Sequence, residues 1–156
     1  MKIALVSTTS YATPPIGYGG EVFFWNLARG LCELDAQVTL YGAPGSLPPN
    51  SPTCNKCKLR YLLPTYGEIT IAREFEVVDR YYTEILQNDL ILDCSHMHPI
   101  AETAGWYYPK DQDKIAVILN GVTSNTPRCG PYNVVVGSRM WRDLVVMGRA
   151  QFYGTP

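Results

Sequence analysis

Residues 2–40, KIALVSTTSYATPPIGYGGEVFFWNLARGLCELDAQVTL, constrain the fold more than any other stretch of the chain. Ile3-Ala4-Leu5-Val6 is a continuous apolar run, the signature of a strand covered on both faces. A loop containing Pro14 and Pro15 leads to Gly17-Tyr18-Gly19-Gly20. Glu21 falls in the first turn of a predicted helix, where the helix dipole favours a carboxylate. Phe23, Leu27, Gly30, Leu31 and Leu34 then recur at helical spacing. Val38-Thr39-Leu40-Tyr41 is β-branched and aromatic, hence a second strand. A strand, a glycine loop and a helix N-terminus form a recurrent anion cradle, because free backbone N–H groups and the dipole point at the loop's occupant. The same glycines equally serve a tight turn that packs helix on strand, and the local chemistry supports both readings.

The pattern continues along the chain. Proline and glycine make 43–53 a loop, and 58–63 predicts a short strand. Thr65-Tyr66-Gly67-Glu68 reads as a capping box opening a helix that runs to about Leu86. Ile71, Phe75, Val78, Tyr82 and Ile85 form its apolar stripe. Residues 89–94 predict a third strand, 100–108 a short helix, and 114–119 and 133–136 two more buried strands. Gly137-Ser138 then caps a last helix over 139–147, and 151–153 ends the chain as a strand. Strands alternating with helices imply right-handed crossovers and a parallel sheet. The expected fold is therefore α/β, a Rossmann-like doubly wound parallel sheet of order 3-2-1-4-5-6. Ligands in such sheets bind at the carboxyl ends of the strands, near the switch point beside the first strand.

The totals narrow the classes of function. A chain of 156 residues is expected to form a single domain with a substantial core. With 46% hydrophobic and 17% charged residues it reads as globular, not disordered. A formal charge of −1 offers no basic field for nucleic acid or an anionic membrane. No apolar run reaches membrane-spanning length, and polar residues follow Val6 at once, unlike a signal peptide. Five cysteines, at 32, 54, 57, 94 and 129, suit a reducing cytoplasm better than a disulfide framework. Cys54-Asn55-Lys56-Cys57 is a plain loop, half of a zinc site or a redox pair. A structural zinc wants a second pair, and a redox pair wants a helix N-terminus after a strand.

Requiring a position just after a strand selects the candidate site. Tyr18, Gly19, Gly20 and Glu21 follow the first strand, and Ser95, His96 and His98 follow 89–94. Asn120 and Gly121 follow 114–119, and Ser138 follows 133–136. This convergence of polar groups on one sheet edge is the strongest functional signal. His96 and His98 are the only histidines. With no third ligand in reach by spacing, no metal is expected there, which leaves a structural role or a ligand contact. Several aromatics in or near loops, among them Tyr11, Tyr66 and Trp106, suit either packing or sugar stacking.

These motifs resemble one family in particular. Pro14-Pro15-Ile16-Gly17-Tyr18-Gly19-Gly20-Glu21, followed by Leu27-Ala28, Leu31 and Val38-Thr39-Leu40, is similar to the opening of the large retaining glycosyltransferase family numbered four, of GT-B architecture. Asp93-Cys94-Ser95-His96-Met97-His98-Pro99 matches the family's His-containing stretch after the fourth strand. The segment 134–144 is similar to its Val-x-x-Ser segment, and 152–156 to the turn that begins its interdomain linker. Asp35-Ala36 departs from the family's Gly-His pair, and Asn120 from a His that many members carry after the fifth strand. An amide there positions substrate but cannot shuttle a proton. Glu68, Glu76 and Glu84 repeat the spacing of the family's donor-binding glutamates, but share one predicted helix and read as a solvated face.

The resemblance implies that residues 1–156 are the N-terminal, acceptor-side half of a GT-B enzyme. The C-terminal donor-binding half would lie in the same or a separate chain, and this half alone would transfer sugar poorly or not at all. The implied donor is a UDP- or GDP-sugar, and the acceptor a sugar or lipid-linked sugar, with no further cofactor. Gly19 and Gly20 would lie near the donor phosphates, and His96, Asn120 and Ser138 would orient hydroxyls. A different class is a standalone, non-catalytic module for a nucleotide or sugar phosphate. A nicotinamide oxidoreductase fits less well, because the loop before Gly17 is too long and strand two runs into Tyr41-Gly42 without an acid.

Overall fold

The computed structural model describes residues 1–7, 12, 19–49, 57–61, 71–95, 98–107, 109–119 and 133–136. The elements are β1 (Lys2–Val6), α1 (Gly19–Glu33), β2 (Gln37–Gly42), β3 (Lys58–Tyr61), α2 (Ile71–Leu86), β4 (Leu90–Asp93), α3 (Pro99–Tyr107), a 3-10 turn (Pro109–Lys114), β5 (Ile115–Leu119) and β6 (Asn133–Val136). Six parallel strands form one sheet in the order β3-β2-β1-β4-β5-β6, the predicted order. The predicted capping box at 65–68, the helix over 139–147 and the strand at 151–153 lie outside the described residues, as do the side chains of Ile71 and Val78.

Strand β1 is central because its side chains suit no other place. Ile3, Ala4, Leu5 and Val6 are at most 1% exposed, and the strand bonds β2 on one edge and β4 on the other. Alternation divides the sheet into two cores. Ile3, Leu5, Val38, Leu40, Leu92, Ala116 and Ile118 face α1. Ala4, Val6, Tyr41, Ile91, Ile115 and Val117 face Ile85 of α2 and Ile100, Ala101 and Ala104 of α3. Right-handed crossovers require this split, because β1 to β2 runs one way across the sheet and the later connections the other.

Helix α1 corrects the sequence reading in phase. Its buried residues are Phe24, Ala28 and Cys32, with Leu27 and Leu31 at the margin, whereas Phe23 is 43% and Leu34 is 81% exposed. Small residues at 28 and 32 let the helix lie close on the sheet, which larger apolar side chains at those positions would prevent. The helix ends in a Schellman motif: Ala36 N–H donates to the Leu31 carbonyl (3.1 Å) and Asp35 N–H to the Cys32 carbonyl (3.0 Å). Asp35 takes the left-handed conformation this motif requires, with φ 66°. It stands where the resembling family has glycine, and aspartate is among the residues that tolerate that conformation best.

On the opposite face, α2 is tied to the sheet edge through one carboxylate. Glu84 accepts from Arg60 Nε of β3 (2.9 Å) and from the Tyr41 hydroxyl of β2 (3.1 Å). Glu76 is exposed, as expected for a solvated face, but Glu84 is not simply solvated. The Arg60 hydrogen bond holds the Glu84 carboxyl below its ordinary range, while burial, and then Glu84 itself, push the Tyr41 phenol up.

Two outcomes test this packing. Phe24→Ala should cost about 3–5 kcal/mol in urea denaturation, while Phe23→Ala costs under about 1 kcal/mol; the reverse ranking would mean that α1 is rotated. Because the folded-state pKa of Glu84 is depressed, its contribution is fully present above the unfolded glutamate pKa and is lost as pH falls through the folded value. Arg60→Ala should therefore raise the Glu84 pKa measured by carboxyl NMR and flatten the acid limb of stability.

Candidate functional site

The candidate site is the carboxyl edge of the sheet at β1 and β4, where the direction of winding reverses. Strands β1 and β4 are in register through Val6 and Asp93, and the Cys94 N–H donates to the Val6 carbonyl (2.9 Å). Helix α1 begins at Gly19 on one face of this edge and α3 at Pro99 on the other. The first-turn N–H groups of both helices lack acceptors within their own helix. The edge is therefore bounded by two positive helix ends.

Asp93 closes β4 with a carboxylate of 0% exposure. Its Oδ1 accepts from the Ser95 amide (3.2 Å) and the Ser95 hydroxyl (2.5 Å), and its Oδ2 from the Ala101 amide in the first turn of α3 (3.3 Å). The carboxylate thus makes an Asx-type turn after the strand and satisfies one donor at the α3 N-terminus. It fixes the angle at which the chain leaves β4.

His98 sits inside this turn. Its carbonyl accepts from the Glu102 amide (3.0 Å), and Pro99 supplies the first helical residue, a position suited to a residue without an N–H. Its φ is 48°, which is sparsely populated for a side chain with a Cβ and costs about 1–3 kcal/mol. The imidazole is 2% exposed, with Nδ1 3.8 Å from Asp93 Oδ1, beyond hydrogen-bond reach, and neither ring nitrogen has a hydrogen-bond partner among the described residues. On the α1 side of the edge, the buried Ser7 hydroxyl also has no partner among the described residues, although its amide donates to the Tyr41 carbonyl (2.9 Å). Buried polar atoms without partners are costly, so each needs a reason beyond packing.

Each predicted residue can now be located. Gly19, Gly20 and Glu21 form the first turn of α1, and Glu21 is 6% exposed with its own partners. Ser95 is at the expected strand end, but its hydroxyl is engaged by Asp93, so it braces the turn. Tyr18, His96, Asn120, Gly121 and Ser138 lie outside the described residues. Asp93 and Ser7 are not picked out by the sequence. Asp93 reads in sequence as the last residue of an apolar strand, and Ser7 as the first loop residue, so neither announces its burial. His98 meets the strand-end requirement in the sequence, and the proline after it marks a helix start.

The chemistry open to this edge is hydrogen bonding and proton exchange. A neutral imidazole presents one donor and one acceptor. Cys94 is no nucleophile: its thiol is buried, donates to the Leu92 carbonyl (3.8 Å) and is pushed well up by burial and then by Asp93. Among the described residues no group of three or more His, Cys, Asp and Glu is placed to hold a metal. No helix among them is long and apolar enough to cross a membrane.

Asp93→Asn should destabilise the protein by about 2–3 kcal/mol, because an amide replaces one acceptor of a buried, charge-assisted network. Ser95→Ala should cost about 1 kcal/mol. Urea melts that leave both variants at wild-type stability would remove the carboxylate as the anchor of this edge. Neither a family model nor a curated protein matches the chain.

Proposed function

We propose that this chain is the acceptor-side half of a retaining glycosyltransferase that takes sugar from a UDP- or GDP-linked donor. The observation that carries the reading is the helix start at Gly19. It brings the amides of Gly19, Gly20 and Glu21 toward the carboxyl edge beside β1, directly after Pro14-Pro15-Ile16-Gly17-Tyr18 in the sequence. In a retaining transfer, negative charge grows on the leaving phosphate, and fixed N–H groups at a helix N-terminus stabilise that charge without reorganising.

The other groups of the edge have roles in the same reading. Asp93, Ser95 and His98 form the buried turn that shapes this edge and do not touch substrate. By the family resemblance, Asn120, His96 and Ser138 would orient hydroxyls, with Asn120 positioning and not exchanging a proton. Most of the nucleotide belongs to a C-terminal domain, in the same or a separate chain. Cys32, Cys57 and Cys94 are not in disulfides among the described residues, which suits a reducing cytoplasm.

The test is transfer from a panel of UDP- and GDP-sugars by the full-length protein from its native source, with products read by mass spectrometry. Donor-dependent transfer is expected, and Gly20→Val should lower it by about 100-fold, by holding the phosphate off the amides, while leaving the circular dichroism unchanged. Saturable nucleotide or sugar-phosphate binding without transfer by any preparation, including one with its partner chain, would replace this reading by a non-catalytic binding module.

A further inference from the structure

A second polar site lies on the amino half of the sheet, away from the carboxyl edge. A groove of about 440 Å³ opens on the α2 face, over β1, β2 and β3. Its floor is Gln37 and Thr39 of β2, and its flanks carry Lys2 of β1, Lys58 and Arg60 of β3, and Gln87 just after α2. Lys2, Gln37 and Lys58 are the first residues of their strands. At about 3.3 Å per residue, this end of β1 is roughly 15 Å from the edge where Ser7 lies. The volume falls within the usual range of about 300–1,000 Å³ for small-molecule sites.

The charges in the groove are unevenly matched. Arg60 is paired with Glu84, the one acid of the lining. Lys2 and Lys58 have no acidic partner for their ammonium groups among the described residues. The register of Lys2 with Gln37 and of Lys58 with Thr39 puts them two strands and two residues apart. At about 4.8 Å between strands, their Cα atoms are roughly 12 Å apart. Two lysine side chains can span that distance and meet above Gln37 and Thr39. The negative end of α2 is also covered: Asn88 Nδ2 donates to the Glu84 and Ile85 carbonyls (3.2 and 2.9 Å), and Lys114 Nζ to the Leu86 carbonyl (2.6 Å). An anion in the groove therefore meets two ammonium groups with no acidic partner among the described residues, while the nearby Asp89 carboxylate is engaged by the Lys2 amide (2.7 Å).

We propose that this groove binds a phosphate monoester of a hydroxyl-rich small molecule. Lys2 and Lys58 hold the doubly charged phosphate, for which two convergent ammonium groups are a better match than for a single carboxylate. Gln37, Thr39 and Gln87 offer both donors and acceptors to the hydroxyls of the body. The site is separate from the carboxyl edge and stands whether or not the chain transfers sugar.

The experiment is an amide NMR titration with glucose 6-phosphate, with glucose and inorganic phosphate as comparisons. Saturable shifts are expected at Thr39, Lys58 and Gln87, with binding at least tenfold tighter than for either comparison. Lys2→Gln with Lys58→Gln should weaken it at least tenfold. Both residues are exposed, so the double variant should keep the wild-type spectrum elsewhere. No saturable shift, shifts unaffected by the double variant, or equal binding of glucose or of inorganic phosphate would each overturn the proposal.

Discussion

The whole arrangement depends on burying β1 on both faces while bonding it on both edges. Its four apolar residues leave no solvent-facing side, so helices must cover the sheet above and below. With β2 on one edge and β4 on the other, the two halves of the chain must wind away from β1 in opposite directions. That reversal creates the crevice at its carboxyl end. The helix that begins beyond β1 and the helix that begins beyond β4 then lie on opposite faces, and both aim their N-termini at the same edge. The location of the candidate site is thus a consequence of packing one short strand, before any chemistry is considered.

Stability and site chemistry meet at Asp93. A carboxylate with no exposure is tolerated because three donors satisfy it, two from Ser95 and one from α3. The network fixes the exit from β4, and so fixes where His98 sits. Yet the turn leaves the imidazole without partners among the described residues and its backbone in the left-handed region. A chain selected only for stability would place glycine or asparagine at that φ and an apolar side chain in that space. The retained histidine is the feature of this edge that packing does not explain.

Much of the fold was legible because it rests on composition over short runs. Apolar runs such as residues 3–6 and 115–118 can only be covered strands, and their alternation with helices dictates a parallel sheet. Finer points were not legible, for physical reasons. The inward face of α1 was misphased because the large apolar residues Phe23 and Leu34 are conspicuous, whereas close approach to a sheet selects Ala28 and Cys32. Glu84 read as solvated because its partners, Tyr41 and Arg60, come from two other strands. The amino-half groove was invisible for the same reason: Lys2, Gln37 and Lys58 come together only through strand register. At the carboxyl edge the glycine loop announced itself, while Asp93 and Ser7 did not, since burial of a polar group leaves no mark on the sequence.

The central claim is that the edge at β1 and β4 is where the principal ligand binds. Amide chemical-shift mapping with UDP- and GDP-sugars tests it most directly. The account predicts the largest shifts at Ser7, Gly19, Gly20, Ser95 and His98, around the two helix starts. Shifts confined to Gln37, Thr39 and Lys58, or none with any donor, would contradict it.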